Sequence, residues 1–176
     1  GLTRAVVDDC FNISFIDAVK INLRHVMHHR VPANKCQIPH TNETCDRIAH
    51  FLQEYEPILG SADKILIERQ PIMGFKDVEG LIMSANRAKT ILISPNSMHK
   101  FFRISNFSYE ERKVQTERIA EKYVGHMEEY TGLERKHDIA DAVCICVYYV
   151  DGLKREADRV RRHASVKGTP MDQFRL

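Results

Sequence analysis

The chain has 176 residues, a formal net charge of +2 and 43% hydrophobic residues. That length supports one domain with a core of its own, and the near-neutral balance excludes a chain that binds polyanions through net charge alone. The longest apolar run, residues 139–150, is interrupted by Asp141; it is too short to span a membrane and reads as a buried helix.

Residues 1–8 read as a strand, and residues 11–21 as a second strand on the alternation of Phe11, Ile13 and Phe15, with a hairpin between them. Residues 24–45 carry His25, His28, His29, Cys36, His40 and Cys45 with Pro32 and Pro39, a loop composition. Ile48, Phe51, Leu52 and Tyr55 predict a helix over 41–59, stopped by Gly60. Ile65, Leu66 and Ile67 form a short apolar run that ends at Glu68, the pattern of a buried parallel strand. A helix is predicted over 78–89, a strand over 90–94 closed by Pro95, an amphipathic helix over 109–130 and a long final helix over 138–163. Residues 1–163 then form one domain and 164–176 a polar tail. Strands alternating with helices imply an α/β layer fold with a mixed sheet.

Three acids stand where an ordinary solvated acid does not. Glu68 ends a strand that is apolar on both faces, and open α/β sheets build their ligand sites at such ends. Asp138 and Asp141 are three residues apart, on one helix face and in what reads as the first turn, where the helix dipole favours negative charge. Hard divalent cations take oxygen ligands, and a pair of them about 4 Å apart suits phosphodiester cleavage. Each acid also has a plainer reading: a helix N-cap for Asp138, a half-exposed side chain for Asp141 and an ion pair with Arg69 for Glu68.

Ile65-Leu66-Ile67-Glu68-Arg69-Gln70-Pro71 and His137-Asp138-Ile139-Ala140-Asp141-Ala142 resemble the second and third acidic motifs of RuvC-like Holliday junction resolvases of large DNA viruses, the poxvirus and iridovirus type. Ile91-Leu92-Ile93-Ser94-Pro95 followed by Lys100 resembles the strand and loop between them. The resemblance covers residues 1–150. It implies a ribonuclease H-like fold, a homodimer, paired nicks in branched four-way DNA, and Mg2+, or Mn2+ in its place, held by Glu68, Asp138 and Asp141. It also implies an intracellular setting, the host cell of such a virus. In that family a further aspartate lies on a central first strand. Residues 1–8 resemble the second family strand, so the first is expected upstream of Gly1, and Asp8, Asp9 and Asp17 sit on the wrong strands to replace it. The chain as it stands is expected to be poorly stable and nearly inactive.

His137 adjoins the acid pair and is a candidate for positioning water or phosphate, or simply caps the preceding loop. DNA contacts are expected from Arg69, Lys100, Arg112 and Lys113, with Arg87, Lys89, His99, Arg103 and Arg118 as further candidates. Lys154, Arg155, Arg159, Arg161 and Arg162 form a second basic group, interleaved with Glu156 and Asp158 as on a solvated helix face. Phe101 and Phe102 are either junction wedges or core and dimer contacts, and Leu81, Ile82 and Met83 offer a dimer surface or a face against the sheet. Cys36, His40, Cys45 and His50, with three, four and four residues between them, are zinc-ligand types without a tight knuckle; a solvated His-rich loop is the alternative. The five cysteines, odd in number and scattered, suit a reducing compartment. Besides the nuclease, two readings stay open: a nucleic-acid-binding module of the same fold without catalysis, and another ribonuclease H-like nuclease.

Overall fold

The computed structural model describes residues 1–23 and 36–167, the side chains of 165–167 excepted. Most of the predicted His-rich loop, residues 24–35, and the tail from 168 lie outside the described residues.

β1 (Leu2–Val7) and β2 (Ile13–Val19) form the expected antiparallel hairpin, with a register shift between Arg4 and Ala5. Its turn is organised by Asp8, whose Oδ1 accepts the backbone N–H groups of Cys10 and Asn12 at 2.9 and 2.8 Å, while Phe11 takes a left-handed φ of 62°. The hairpin packs one face inward through Phe15 and Ala18 and leaves Val6 and Ile16 exposed on the other, as an antiparallel pair covered on one side does.

The predicted helix over 41–59 divides into α1 (Thr44–Glu54) and α2 (Glu56–Ser61). Pro57 has no N–H to donate, so the α1 hydrogen-bond ladder cannot run through it, and the ring instead suits the start of a new helix. β3 (Ile65–Glu68) and β4 (Thr90–Ile93) pair in parallel, joined through α3 (Lys76–Ala85). Pro95 was expected only to close β4. It also opens a helix absent from the sequence reading, α4 (Pro95–Phe101). α5 (Tyr109–Val124) starts with a capping box between Ser108 and Glu111. The expected continuation to residue 130 fails at Gly125, which caps α5 by donating its N–H to the Glu121 carbonyl in an approach that leaves no room for a Cβ; the chain turns there and resumes as α6 (Glu128–Thr131). α7 (His137–Lys167) is the long final helix.

The sheet is the main departure. The fold is mixed α/β, but among the described residues the strands form two separate two-stranded sheets, β1–β2 antiparallel and β3–β4 parallel, in place of one mixed sheet. α7 packs against both. One core cluster joins Phe15 and Ala18 of the hairpin to Ala120, Val124, Tyr130, Ile139, Ala140, Val143 and Val147 on α5, α6 and α7. The parallel pair is covered on both faces, as its apolar run required. Ile65 and Ile67 enter a cluster with Phe51, Leu59 and Ile82, whereas Leu66 faces Ile145 and Cys144 of α7. Side chains alternate along a strand, so Glu68 shares the α7 side with Leu66. Ile82 thereby packs against the sheet side, although it is half-buried like Leu81 and Met83. Among the described residues no helix is long and apolar enough to cross a membrane.

Candidate functional site

The end of β3 and the start of α7 bring the three predicted acids to one place. The charge of Asp141 acts on Glu68, and that of Asp138 acts on Asp141. Gly1 is pressed against the first turn of α7, with no room for a Cβ beside the Asp138 carbonyl.

The acids differ in environment. Glu68 is half-buried and, among the described residues, its carboxylate makes no hydrogen bond or ion pair, so the pairing with Arg69 does not form. Burial first, and then the Asp141 charge, raises its pKa above the ordinary glutamate value. Asp141 is raised as well, chiefly by burial and further by Asp138, while the Thr116 hydroxyl and His137 pull the other way. Glu68 and Asp141 therefore resist carrying charge together, which is the electrostatic setting that a cation relieves. Asp138 is instead compensated: its Oδ2 lies 3.6 Å from Lys20 Nζ and 3.7 Å from Arg135 Nε.

Two local readings are corrected. α7 begins at His137, so Asp138 lies within its first turn and is not its cap, and Asp141 falls beyond the first turn that was expected to hold both. The backbone N–H groups of Ile139 and Ala140 donate to the Lys136 carbonyl at the helix start. His137 Nε2 accepts from Arg135 Nε at 2.7 Å, which leaves the proton on Nδ1, 3.9 Å from Glu117 Oε1. The imidazole is thus held between α5 and α7. Lys20, Thr116 and Glu117 were missed by sequence reasoning; each comes from another element, and no local pattern links it to the acids.

Among the predicted DNA contacts, Arg69 follows Glu68 directly and is exposed, and Lys100 is exposed in the last turn of α4. Lys113 pairs with Glu110 at 3.4 Å and lies over the Tyr109 ring; with Glu117, Arg118 and His137 it lines a shallow open groove along α5. Arg112 donates to the Phe107 carbonyl at 2.6 Å, and burial together with Arg112 lowers the pKa of His99. Lys89 reads differently in the structure, because its ammonium donates to the Leu59 and Gly60 carbonyls at the end of α2. The second basic group forms pairs along α7, Arg155 with Asp151 and Arg159 with Glu156, as a solvated face does. Phe101 and Phe102 stack on each other, and Phe101 on Tyr148, so both take the packing role. Asp8 is spent in its turn and Asp17 in an ion pair with Arg4 at 2.6 Å. The loop after Glu68 leaves Ile72, Met73 and Phe75 more than 70% exposed, a feature the sequence reading passed over.

A second group lies elsewhere. One ligand atom from each of Cys36, His40 and His50 falls within 4.8 Å of the others; among the described residues no other three His, Cys, Asp or Glu side chains do so. Cys45 does not join them. It is exposed at the start of α1, with its thiol toward Asp46. Cys45 and His50 are five positions apart on one helix, about 140° around its axis, so the even spacing in the sequence does not become proximity. The five cysteines are all free thiols.

Comparison with known protein families, curated proteins and solved structures finds no match to this chain.

Proposed function

We propose that the chain is a metal-dependent DNA endonuclease of the ribonuclease H-like class, acting as a homodimer on four-way junctions. The observation that carries the reading is the convergence of Glu68 from β3 with Asp138 and Asp141 from α7, two of the three with raised pKa values.

The donor set fits Mg2+ or Mn2+, being all oxygen and unneutralised at Glu68 and Asp141. The three acids are not gathered within 4.8 Å, so they suit ions that keep several waters and bind through one or two carboxylates each. Bound there, such ions supply Lewis-acid activation of water and of the scissile phosphate. Asp141 is held for this by α7, and Glu68 by its strand. His137, oriented by Arg135 and Glu117, presents a fixed imidazole beside Asp138. Arg69, Lys100, Arg112 and Lys113 supply phosphate contacts.

A second reading, a binding module of the same fold without catalysis, draws on the compensation of Asp138 by Lys20 and Arg135. One experiment separates the two. The protein is incubated with a labelled mobile four-way junction and Mg2+, beside its Glu68→Gln variant. The expected result is symmetric nicks, reduced at least about 100-fold in the variant, with linear duplex left intact. Junction binding without cutting would favour the module; equal cutting of duplex and junction would defeat the resolvase assignment.

A further inference from the structure

We infer that Cys36, His40 and His50 form a zinc site that fastens the segment before α1 to that helix. This site is separate from the carboxylates and does not depend on the nuclease reading.

His50 is 6% exposed on α1. Its Nε2 lies 3.3 Å from the Pro39 carbonyl oxygen. A carbonyl only accepts, so this contact places the ring proton on Nε2 and leaves Nδ1 with a bare lone pair. Metal-binding histidines are oriented in this way by a backbone carbonyl on the far nitrogen. Nδ1 faces Cys36 Sγ at 3.8 Å. Tetrahedral zinc, with bonds of about 2.3 Å to sulfur and about 2.0–2.1 Å to nitrogen, sets that separation near 3.6 Å. The pair is therefore spaced to share an ion with little movement.

His40 completes the group. Its ring lies edge-on to His50, centroids 4.6 Å apart at 70°, and it offers a nitrogen within 4.8 Å of the other two ligand atoms. Burial falls from His50 through half-buried Cys36 to exposed His40. The site thus opens toward solvent on one side, where a water takes the fourth position. One soft thiolate with two imidazoles favours zinc over magnesium or calcium. Binding releases the Cys36 thiol proton to solvent, so affinity rises with pH.

The test uses the untagged full chain, stripped with chelator and titrated with Co2+ and then Zn2+. About one equivalent of Co2+ should give the intense visible bands of a tetrahedral ion and a near-ultraviolet thiolate-to-cobalt band, both displaced by Zn2+. Cys36→Ser should abolish the thiolate band. His40→Ala, at an exposed position that folding does not depend on, should weaken affinity at least about 100-fold. Cys45→Ser should behave as the parent chain. Absence of the thiolate band in the parent chain overturns the proposal, as does its survival in Cys36→Ser or its loss in Cys45→Ser.

Discussion

Asp141 shows how the surroundings of one side chain become a stability effect. Its folded pKa lies above the ordinary aspartate value because burial penalises the charged form. The folded state therefore holds the proton more tightly than the unfolded chain. Stability from this group is fully present below the unfolded pKa and falls as pH rises through the window up to the raised value; above it the charged carboxylate is a net cost. Asp141→Asn keeps the shape of the side chain and removes the charge. In chelator at neutral pH it should raise Tm by about 2–4 °C per kcal/mol gained, and thermal melts should show the difference shrinking below about pH 4. A lower Tm for the variant at neutral pH would contradict the assignment. The sequence made Glu68, Asp138 and Asp141 legible because strand ends and helix periodicity are local properties. It hid Lys20, Thr116 and Glu117, whose roles arise from packing between elements, and it misled at Cys45, where an even spacing ran into helical geometry.

At the scale of elements, α3 holds the loop that follows Glu68. The Glu79 carboxylate accepts the Gln70 backbone N–H and pairs with Lys76 at 2.9 Å, and Lys76 first, then the Gln70 N–H, lower its pKa. The sign is opposite to that of Asp141: this contribution is present above the unfolded glutamate value and is lost as pH falls through the depressed folded one. Glu79→Ala should cost about 1 kcal/mol, toward the low end for a hydrogen-bonded charge because the side chain of its partner Lys76 is 41% exposed. Urea unfolding checks this, and an unchanged midpoint at neutral pH would show that the loop is held otherwise. Strands were the most readable elements, since the runs around Ile65 and Ile91 state their period directly. Proline was ambiguous: Pro95 ends a strand and begins a helix in one step, and Pro57 divides a helix whose apolar spacing alone runs straight through. Gly125 caps α5 where the Glu121 carbonyl leaves no room for a Cβ, a closeness that only the folded backbone reveals.

For the whole molecule, the sequence conveyed class and order but not sheet connectivity. Pairing of β1 with β2 and of β3 with β4 follows from neighbouring runs, whereas union of the two pairs depends on long-range contacts that no local pattern encodes. What unites them here is α7, backed by α5, with Tyr130, Ile139, Ala140 and Val143 fully covered. At the middle of this junction sits Cys144, 0% exposed, with its sulfur 3.8 Å from the Thr116 carbonyl and its pKa pushed up to about 12 by burial. Cys10 and Cys45 are exposed. An alkylating reagent should consume those two at once and reach Cys144 only when α5 and α7 part; peptide mass mapping over time gives the opening rate, and early modification of Cys144 would refute the packing. A single sulfhydryl thus serves as an internal clock for how often the halves of this protein come apart, readable without any attached probe.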